Sequence, residues 1–283
     1  MGTRREPTAR QMRLAVELRR LREAAGLNSR DAAVLLGVNS VQISQIESGT
    51  SGVSEQRLRR MAANYACADE DLISGLVAIA TDRTQGWWEE YRGRLPTPFM
   101  DLPELEHHAH HRWDVDFLHV PGLLQTAAYA RSLFSYVNPE FPSGDVERWV
   151  EHRMRRRSIL ERPDPVPYEA VIHEAALRIR VGDRPTARAQ LARVLELSEA
   201  DHVTVRVVPF DLDHFGGAGS AMVYAGGPVP RLDTVVRDGP NGPVFIDAEG
   251  QLNRYRTLFR RVEGVSLGPE RSRDFIHGLA KEL

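Results

Sequence analysis

The segment NSRDAAVLLGVNSVQISQIESG, residues 28–49, decides the fold of the first part of the chain. It holds two short helical patterns of apolar residues, separated by a turn that contains glycine. Asn28 opens the first pattern as a helix cap, with Asp31 three residues later as a variant of the capping box. Asn39 opens the second, with Gln42 at the same spacing. Two helices this short, joined by a tight turn, are typical of a helix-turn-helix.

Further helical patterns flank this segment on both sides. The upstream pattern ends at Gly26, where glycine stops the helix. Downstream, Ser54 caps a fourth helix, and Asp69 or Asp71 begins a fifth. In the second helix of the central pair, the isoleucines face inward and the polar residues stay exposed. The pattern therefore predicts an all-α helix-turn-helix domain of five helices over residues 1–80.

These helices resemble the phage-repressor-like, or Xre, family of helix-turn-helix domains. The resemblance lies in the segments 18–27, 32–38, 43–49 and 58–62. It implies a lambda-repressor-like fold and a transcriptional regulator that binds double-stranded DNA as a homodimer, with its heads on a palindromic operator.

The resemblance also implies which residues form the DNA interface. We predict that it consists of Asn28, Ser29, Arg30, Asn39, Ser40, Val41, Gln42, Ser44, Gln45 and Thr50. Ser40, Val41 and Gln45 occupy the positions at which the family contacts base edges, and residues 28–30, Gln42 and Ser44 lie near phosphates. The Gln45 amide can pair bidentately with adenine, and Val41 can lie against a thymine methyl. Glu47 is expected to brace the following loop.

Two departures from the family pattern bear on affinity. Ser29 stands where the family often has glutamine, and it is too short for the same phosphate contact. Thr50 and Val53 replace a basic residue and a proline in the loop after the second helix of the pair. Both changes predict fewer phosphate contacts. The alternative is a small helical bundle that serves only protein contacts.

The charge distribution favours a nucleic-acid partner for the first part of the chain. The 283-residue chain has a net charge of −2, yet residues 1–66 carry 11 arginines against six acidic residues, a net charge of +5. We expect phosphate-binding charge from Arg30, from neighbouring helices and from an arm at Arg4-Arg5. A single cysteine excludes an internal disulfide. With neither a signal peptide nor an apolar run of membrane length, we expect a cytoplasmic, nucleoid-associated protein that does not bind membranes.

Residues 81–283 predict an α+β domain with a modest sheet. Strands are expected at 115–120, 168–173, 203–209, 221–225, 234–237 and 244–246. Helices are expected at 123–136, 145–161, 185–197, 251–262 and 269–283.

This second part resembles the large C-terminal domain that follows such heads in a regulator family abundant in actinobacteria and grouped with antitoxin-like regulators. The resemblance lies in the segments 87–91, 120–126, 173–178, 203–210 and 255–259. It implies a regulator frequently encoded beside a small partner protein. We expect this domain to dimerise and to sense a ligand or bind that partner. The alternative is an antitoxin-like module whose main role is to hold the small neighbouring protein, with autoregulatory DNA binding.

The sequence of residues 81–283 shows no motif that predicts an enzyme. His173-Glu174 lacks the second histidine of the zinc-protease motif, because Leu177 occupies its place. No set of nucleophile, base and orienting residue can be assembled, so we expect neither catalysis nor a cofactor. The segment 107–111 contains four histidines, whose helical spacing leaves a metal site as an alternative to a solvated helix end.

Overall fold

The computed structural model describes residues 6–213, 215–217, 219, 221–239 and 242–283, so the arm at Arg4-Arg5 lies outside the described residues. The chain forms two compact units. The first comprises Met1–Leu105 and Gly227–Leu232, and the second comprises Glu106–Gly226 and Asp233–Leu283. The division into domains between residues 80 and 81 stays a prediction, because compactness does not show which segment folds independently.

The first unit contains the predicted five-helix domain. Its helices are α1 (Ala9–Ala24), α2 (Ser29–Leu36), α3 (Ser40–Glu47), α4 (Glu55–Asn64) and α5 (Glu70–Thr81). The side chains of Asn28, Ser54 and Asp69 cap α2, α4 and α5 as the pattern predicts. The capping box expected at Asp31 is absent, because Asn28 accepts from the Asp31 N–H and no Asp31 side-chain bond returns.

One apolar core holds these helices together. Leu18, Ile43, Leu58, Leu72 and Leu76 are fully buried in it, one or two from each of α1, α3, α4 and α5. After α5, a 3₁₀ helix at Trp87–Tyr91 buries Trp88 and Tyr91, and α6 (Pro98–His107) follows. These aromatic rings meet edge to face around Trp87 and are therefore packed together.

The second unit is built on one mixed sheet of six strands. They are β1 (His111–Asp116), β2 (Tyr168–His173), β3 (Val203–Val208), β4 (Met222–Gly226), β5 (Thr234–Gly239) and β6 (Gly242–Ile246). Their order is β3-β2-β1-β4-β5-β6; β1, β2 and β3 run parallel, and β4, β5 and β6 are antiparallel. The carboxyl ends of β1, β2, β3 and β5 therefore lie at one edge of the sheet.

Helices cover this sheet. They are α7 (Ala127–Val137), α8 (Ser143–Arg155), α9 (Ser158–Glu161), α10 (Glu174–Arg178), α11 (Arg184–Leu197), α12 (Glu249–Val265) and α13 (Pro269–Glu282). Trp113 of β1 stacks on Phe259 of α12, with ring centroids 4.6 Å apart. The predicted α+β class is confirmed.

Several predicted elements have different bounds. The strand expected at 115–120 begins earlier and ends at Asp116, because the chain then turns into a 3₁₀ helix at Gly122–Leu124 that also delays α7. The helix expected at 145–161 divides into α8 and α9.

The histidine segment does not form a single helix. Helix α6 ends at His107, and His111 already belongs to β1, so the helical spacing required for a metal site is lost. Within the described ranges, no group of three His, Cys, Asp or Glu residues is placed to hold a metal ion. No helix in the described part of the chain is long and apolar enough to cross a membrane.

Candidate nucleic-acid interface

A left-handed glycine makes the turn between α2 and α3. Gly37 has φ 64°, a conformation that favours glycine because a Cβ atom strains it. The N–H of Val38 then donates to the carbonyl of Ala33 at 3.0 Å, which closes the end of α2. This geometry redirects the chain within two residues and so permits a helix-turn-helix.

A reciprocal capping box begins α3. The Asn39 side chain accepts from the Gln42 N–H at 2.8 Å, and the Gln42 side chain accepts from the Asn39 N–H at 3.3 Å. Two of the backbone donors at this helix end are thereby satisfied. Both residues belong to the predicted interface, and the structure gives both this capping role. The amide nitrogens of their side chains remain as donors.

Packing fixes the outward face of α3. Ile43 and Ile46 are buried in the core of the first unit, at 0% and 3% exposure. Val41 is 60% exposed, and Gln45 is half-buried one turn further along. The remaining predicted residues divide into the exposed Asn28, Arg30, Asn39, Gln42, Ser44 and Thr50 and the half-buried Ser29 and Ser40. The interface stays a prediction, and these exposures leave each residue at least partly accessible.

The carbonyl of Gln45 organises the loop after α3. It accepts hydrogen bonds from the N–H groups of Thr50 (3.0 Å) and Ser51 (3.1 Å) and from the Thr50 hydroxyl (3.2 Å). The Ser44 hydroxyl donates to the Ser40 carbonyl at 3.0 Å. A hydroxyl has one proton to donate, so in this conformation Thr50 and Ser44 offer DNA only acceptor oxygens. The side-chain amide of Gln45 forms no hydrogen bond with the residues that the structure describes.

A buried ion pair joins α3 to α1. Arg22 donates to both carboxylate oxygens of Glu47, at 2.7 and 2.8 Å, and to the carbonyl of Leu27 at 2.7 Å. The side chains of Arg22 and Glu47 are 7% and 6% exposed. The bond to Glu47 raises the pKa of Arg22 above its ordinary value. Glu47 therefore braces α1 rather than the following loop, and sequence reasoning missed Arg22 because nothing in the pattern relates the two positions.

Most arginines of α1–α4 are engaged within the first unit. Six bind carboxylates: Arg10, Arg13, Arg19, Arg20, Arg22 and Arg59. Arg60 instead donates to the carbonyl of Leu36 at the end of α2. In the described part of these helices, Arg30 and Arg57 pair with no carboxylate. Arg57, in the first turn of α4, escaped sequence reasoning, although its place just after the loop that follows α3 was a signal.

Two family models match the chain. The model described as a helix-turn-helix domain matches residues 13–74, which include α2 and α3. The model described as a domain of unknown function, DUF5753, matches residues 99–278, more than half of the chain. No curated protein and no solved structure matches the chain.

Proposed function

We propose that this chain, which belongs to the DUF5753 family and carries a helix-turn-helix domain ahead of that domain, is a sequence-specific transcriptional regulator of the Xre type. A homodimer places two copies of α3 in successive major grooves of a palindromic operator, with half-sites about 34 Å apart. The protein works in the cytoplasm, at the nucleoid, and has no catalytic role.

The accessible face of α3 carries this proposal. Gln45 presents a side-chain amide with both a donor and an acceptor, which is the pattern that reads adenine in the major groove. Val41 lies one turn earlier and supplies an apolar contact for a thymine methyl. The capping box and the Arg22–Glu47 pair hold this face rigid, which lowers the entropy lost on binding.

The cations near α3 fit a positioning role. Arg30 is exposed at the start of α2, where a guanidinium and the helix N-terminus both favour a phosphate. Arg57 stands in the equivalent first turn of α4. Base contacts then depend on α3, and phosphate contacts on its neighbours.

A genomic binding assay followed by gel shifts on the recovered site tests the proposal. We expect Gln45→Ala to weaken binding by about 1–3 kcal/mol and to relax discrimination at one base pair. Gln56→Ala is the matched control, because Gln56 is an exposed glutamine on α4 outside the predicted interface. Absence of a specific site, or equal affinities of the Gln45→Ala and Gln56→Ala variants, contradicts the proposal.

A second candidate function is an antitoxin-like one, in which the second unit holds a small protein encoded nearby. Tyr136 and Val137, at the end of α7, favour it, because they are 86% and 61% exposed and exposed apolar pairs mark protein contacts. Co-expression with the neighbouring small protein, followed by gel filtration, tests this candidate. A complex that persists in the Tyr136→Ser variant argues against this surface.

A further inference from the structure

A layer of charged side chains lies between the sheet of the second unit and α8. Side chains alternate along a strand, and Asp114 aligns with Val223 of β4, which aligns with Val236 of β5. Two residues further along, Asp116 and Asp238 face the same side as Asp114, at the carboxyl ends of β1 and β5. The carboxyl groups of Asp116 and Asp238 therefore lie on one face of the sheet near one edge, with β4 between their strands, and within electrostatic range of each other.

The inner half of this layer is closed by ion pairs. Arg112 bonds with Glu106 and with both oxygens of Asp114, at 2.8 and 2.9 Å from Asp114. Arg156 donates to Glu106 at 2.6 and 3.0 Å. The Tyr168 hydroxyl donates to Asp114 at 2.8 Å. Each charge here has an opposite charge in contact, which is the usual condition for burying it.

The outer half of the layer lacks such pairs. Arg153, in the last turn of α8, lies three residues before Arg156 and donates to the side-chain oxygen of Gln125 at 2.7 Å. Among the residues that the structure describes, Arg153, Asp116 and Asp238 form no ion pair. Asp116 and Asp238 nevertheless lie within electrostatic range of the guanidinium.

The segment 120–126, which is part of the family resemblance, positions the side chain of Arg153. A Cβ atom on Gly122 would lie 3.1 Å from Nη1 of Arg153, so glycine permits the close approach. Gln125 is 2% exposed, and its amide nitrogen donates to the Val120 carbonyl at 2.7 Å, which aims its oxygen at the guanidinium. The ring of Phe134 lies 4.9 Å from the guanidinium carbon. Arg153 is held in place by neutral groups, and its remaining donors form no hydrogen bond with the described residues.

The ionisation of these groups reflects the missing pairs. Burial, with the nearby Arg156, lowers the pKa of Arg153 to about 9. Burial, with Asp114 and Asp238, raises the pKa of Asp116 to about 7. Backbone hydrogen bonds from Phe117 and His119 and the nearby opposite charges compensate only part of this desolvation. A ligand that bridges the charged groups would remove the remaining penalty.

The geometry points to a binding site for a small zwitterion at this edge of the sheet, with its carboxylate on Arg153 and its ammonium on Asp238 and Asp116. A guanidinium fork suits a carboxylate, and two aspartates on one face of the sheet suit an ammonium that lies between them. A simple anion would face both aspartates, and a simple cation would face Arg153. The carboxyl edge of parallel strands is also where α/β sheets bind ligands. This inference rests on the proposed regulatory function and names the effector class that the second unit senses.

Thermal shift and isothermal titration calorimetry of the full-length protein, without DNA, test the site. The probes are the protein L-amino acids, added singly, each beside the matched carboxylic acid that lacks the amine, such as propionate for alanine. We expect one or more amino acids to raise the Tm and to bind, and the matched acid to bind at least about tenfold more weakly.

Two variants separate a binding role from a structural one. Arg153→Met is expected to weaken binding at least about tenfold while leaving the ligand-free Tm equal or higher, because it removes an unpaired, partly buried cation. Arg148→Met is the matched control on α8, where Arg148 pairs with Asp145 at the surface. Asp238→Asn, at an exposed position, is expected to weaken amino-acid binding even if Arg153→Met does not fold.

Three results would overturn the inference. They are no binding of any amino acid by the wild-type protein, equal binding by Asp238→Asn and wild type, and equal affinity for an amino acid and its matched acid. Because no DNA is present, each of these outcomes leaves the gel-shift test of Gln45 untouched. Failure of the effector site is therefore distinguishable from failure of the proposed function.

Discussion

Replacing Glu47 with glutamine should loosen α3 from α1. The wild-type carboxylate receives two hydrogen bonds from Arg22, and both side chains are almost fully buried. Glutamine keeps one acceptor oxygen, but an NH2 group replaces the other oxygen. The N–H donors of that group then face the N–H donors of the Arg22 guanidinium. The variant therefore leaves a buried cation with the Leu27 carbonyl, one weakened bond and the more exposed Glu23 carboxylate at 3.6 Å.

The size of the effect follows from these contacts. Hydrogen bonds to charged groups contribute about 1.5–3 kcal/mol each, and removing one partner of a buried pair costs about 3–5 kcal/mol. Because Arg22 keeps the Leu27 carbonyl and the more distant Glu23 carboxylate, we expect a loss at the lower end of that range, about 3 kcal/mol, from the free energy of unfolding of the helix-turn-helix. The double variant Arg22→Met with Glu47→Leu removes both charges, and it should unfold within about 1 kcal/mol of wild type.

Hydrogen–deuterium exchange of the full-length protein measures this change. Amides in α1 and α3 report the opening free energy of the first unit locally, which avoids treating a two-unit protein as one transition. Protection of α3 in Glu47→Gln that equals the wild-type value would refute the reasoning, as would a double variant as unstable as the single one. We also expect weaker operator binding by Glu47→Gln, in proportion to the loss of folded head.

Three further predictions concern the head and the charged layer. Arg30→Ala should reduce the magnitude of the slope of log K against the logarithm of the salt concentration by about one for each head, without changing base preference. Arg19 is already ion-paired, so Arg19→Ala should leave that slope unchanged in gel shifts across salt concentrations. Gly37→Ala should destabilise the helix-turn-helix by about 1–2 kcal/mol in exchange experiments because φ is positive there, whereas Gly52→Ala, in open space at ordinary φ, should not. Asp116 should make stability fall as pH rises from about 4 to about 7, because its folded pKa lies above its unfolded value; Asp116→Asn should remove roughly 2–4 kcal/mol of that fall in urea unfolding at about pH 5 and about pH 8.

Local signals predicted the helical domain well. Asn28, Asn39 and Ser54 cap helices within one residue of where the sequence places them, because capping depends on neighbours in the chain. The strand expected at 115–120 was placed too late. Its alternation continues past Asp116, but pairing with β2 and β4 ends there, and pairing depends on residues far away in the chain.

The two candidate sites differ in the same way, because one depends on neighbours in the chain and the other on residues far apart in it. The exposed face of α3 follows from helical spacing, so Val41 and Gln45 could be placed from the sequence. Arg153 could not, because its position depends on Gln125, Gly122 and the register of two strands. The motif at residues 120–126 could be recognised in the sequence, but its role in positioning Arg153 could be seen only in the folded structure.

Ion pairing limits how many arginines of the head can attract DNA. Residues 1–66 carry 11 arginines, but side chains such as Arg13 and Arg22 pair with buried carboxylates, and the net charge of +5 already subtracts those carboxylates. Attraction to DNA depends on charge that can release counterions, so an arginine already bonded to a carboxylate contributes little. The non-specific part of the affinity should therefore follow the net charge of +5 and not the number of arginines. The choice of operator then depends on the few base contacts that α3 can make, and chiefly on those of Gln45.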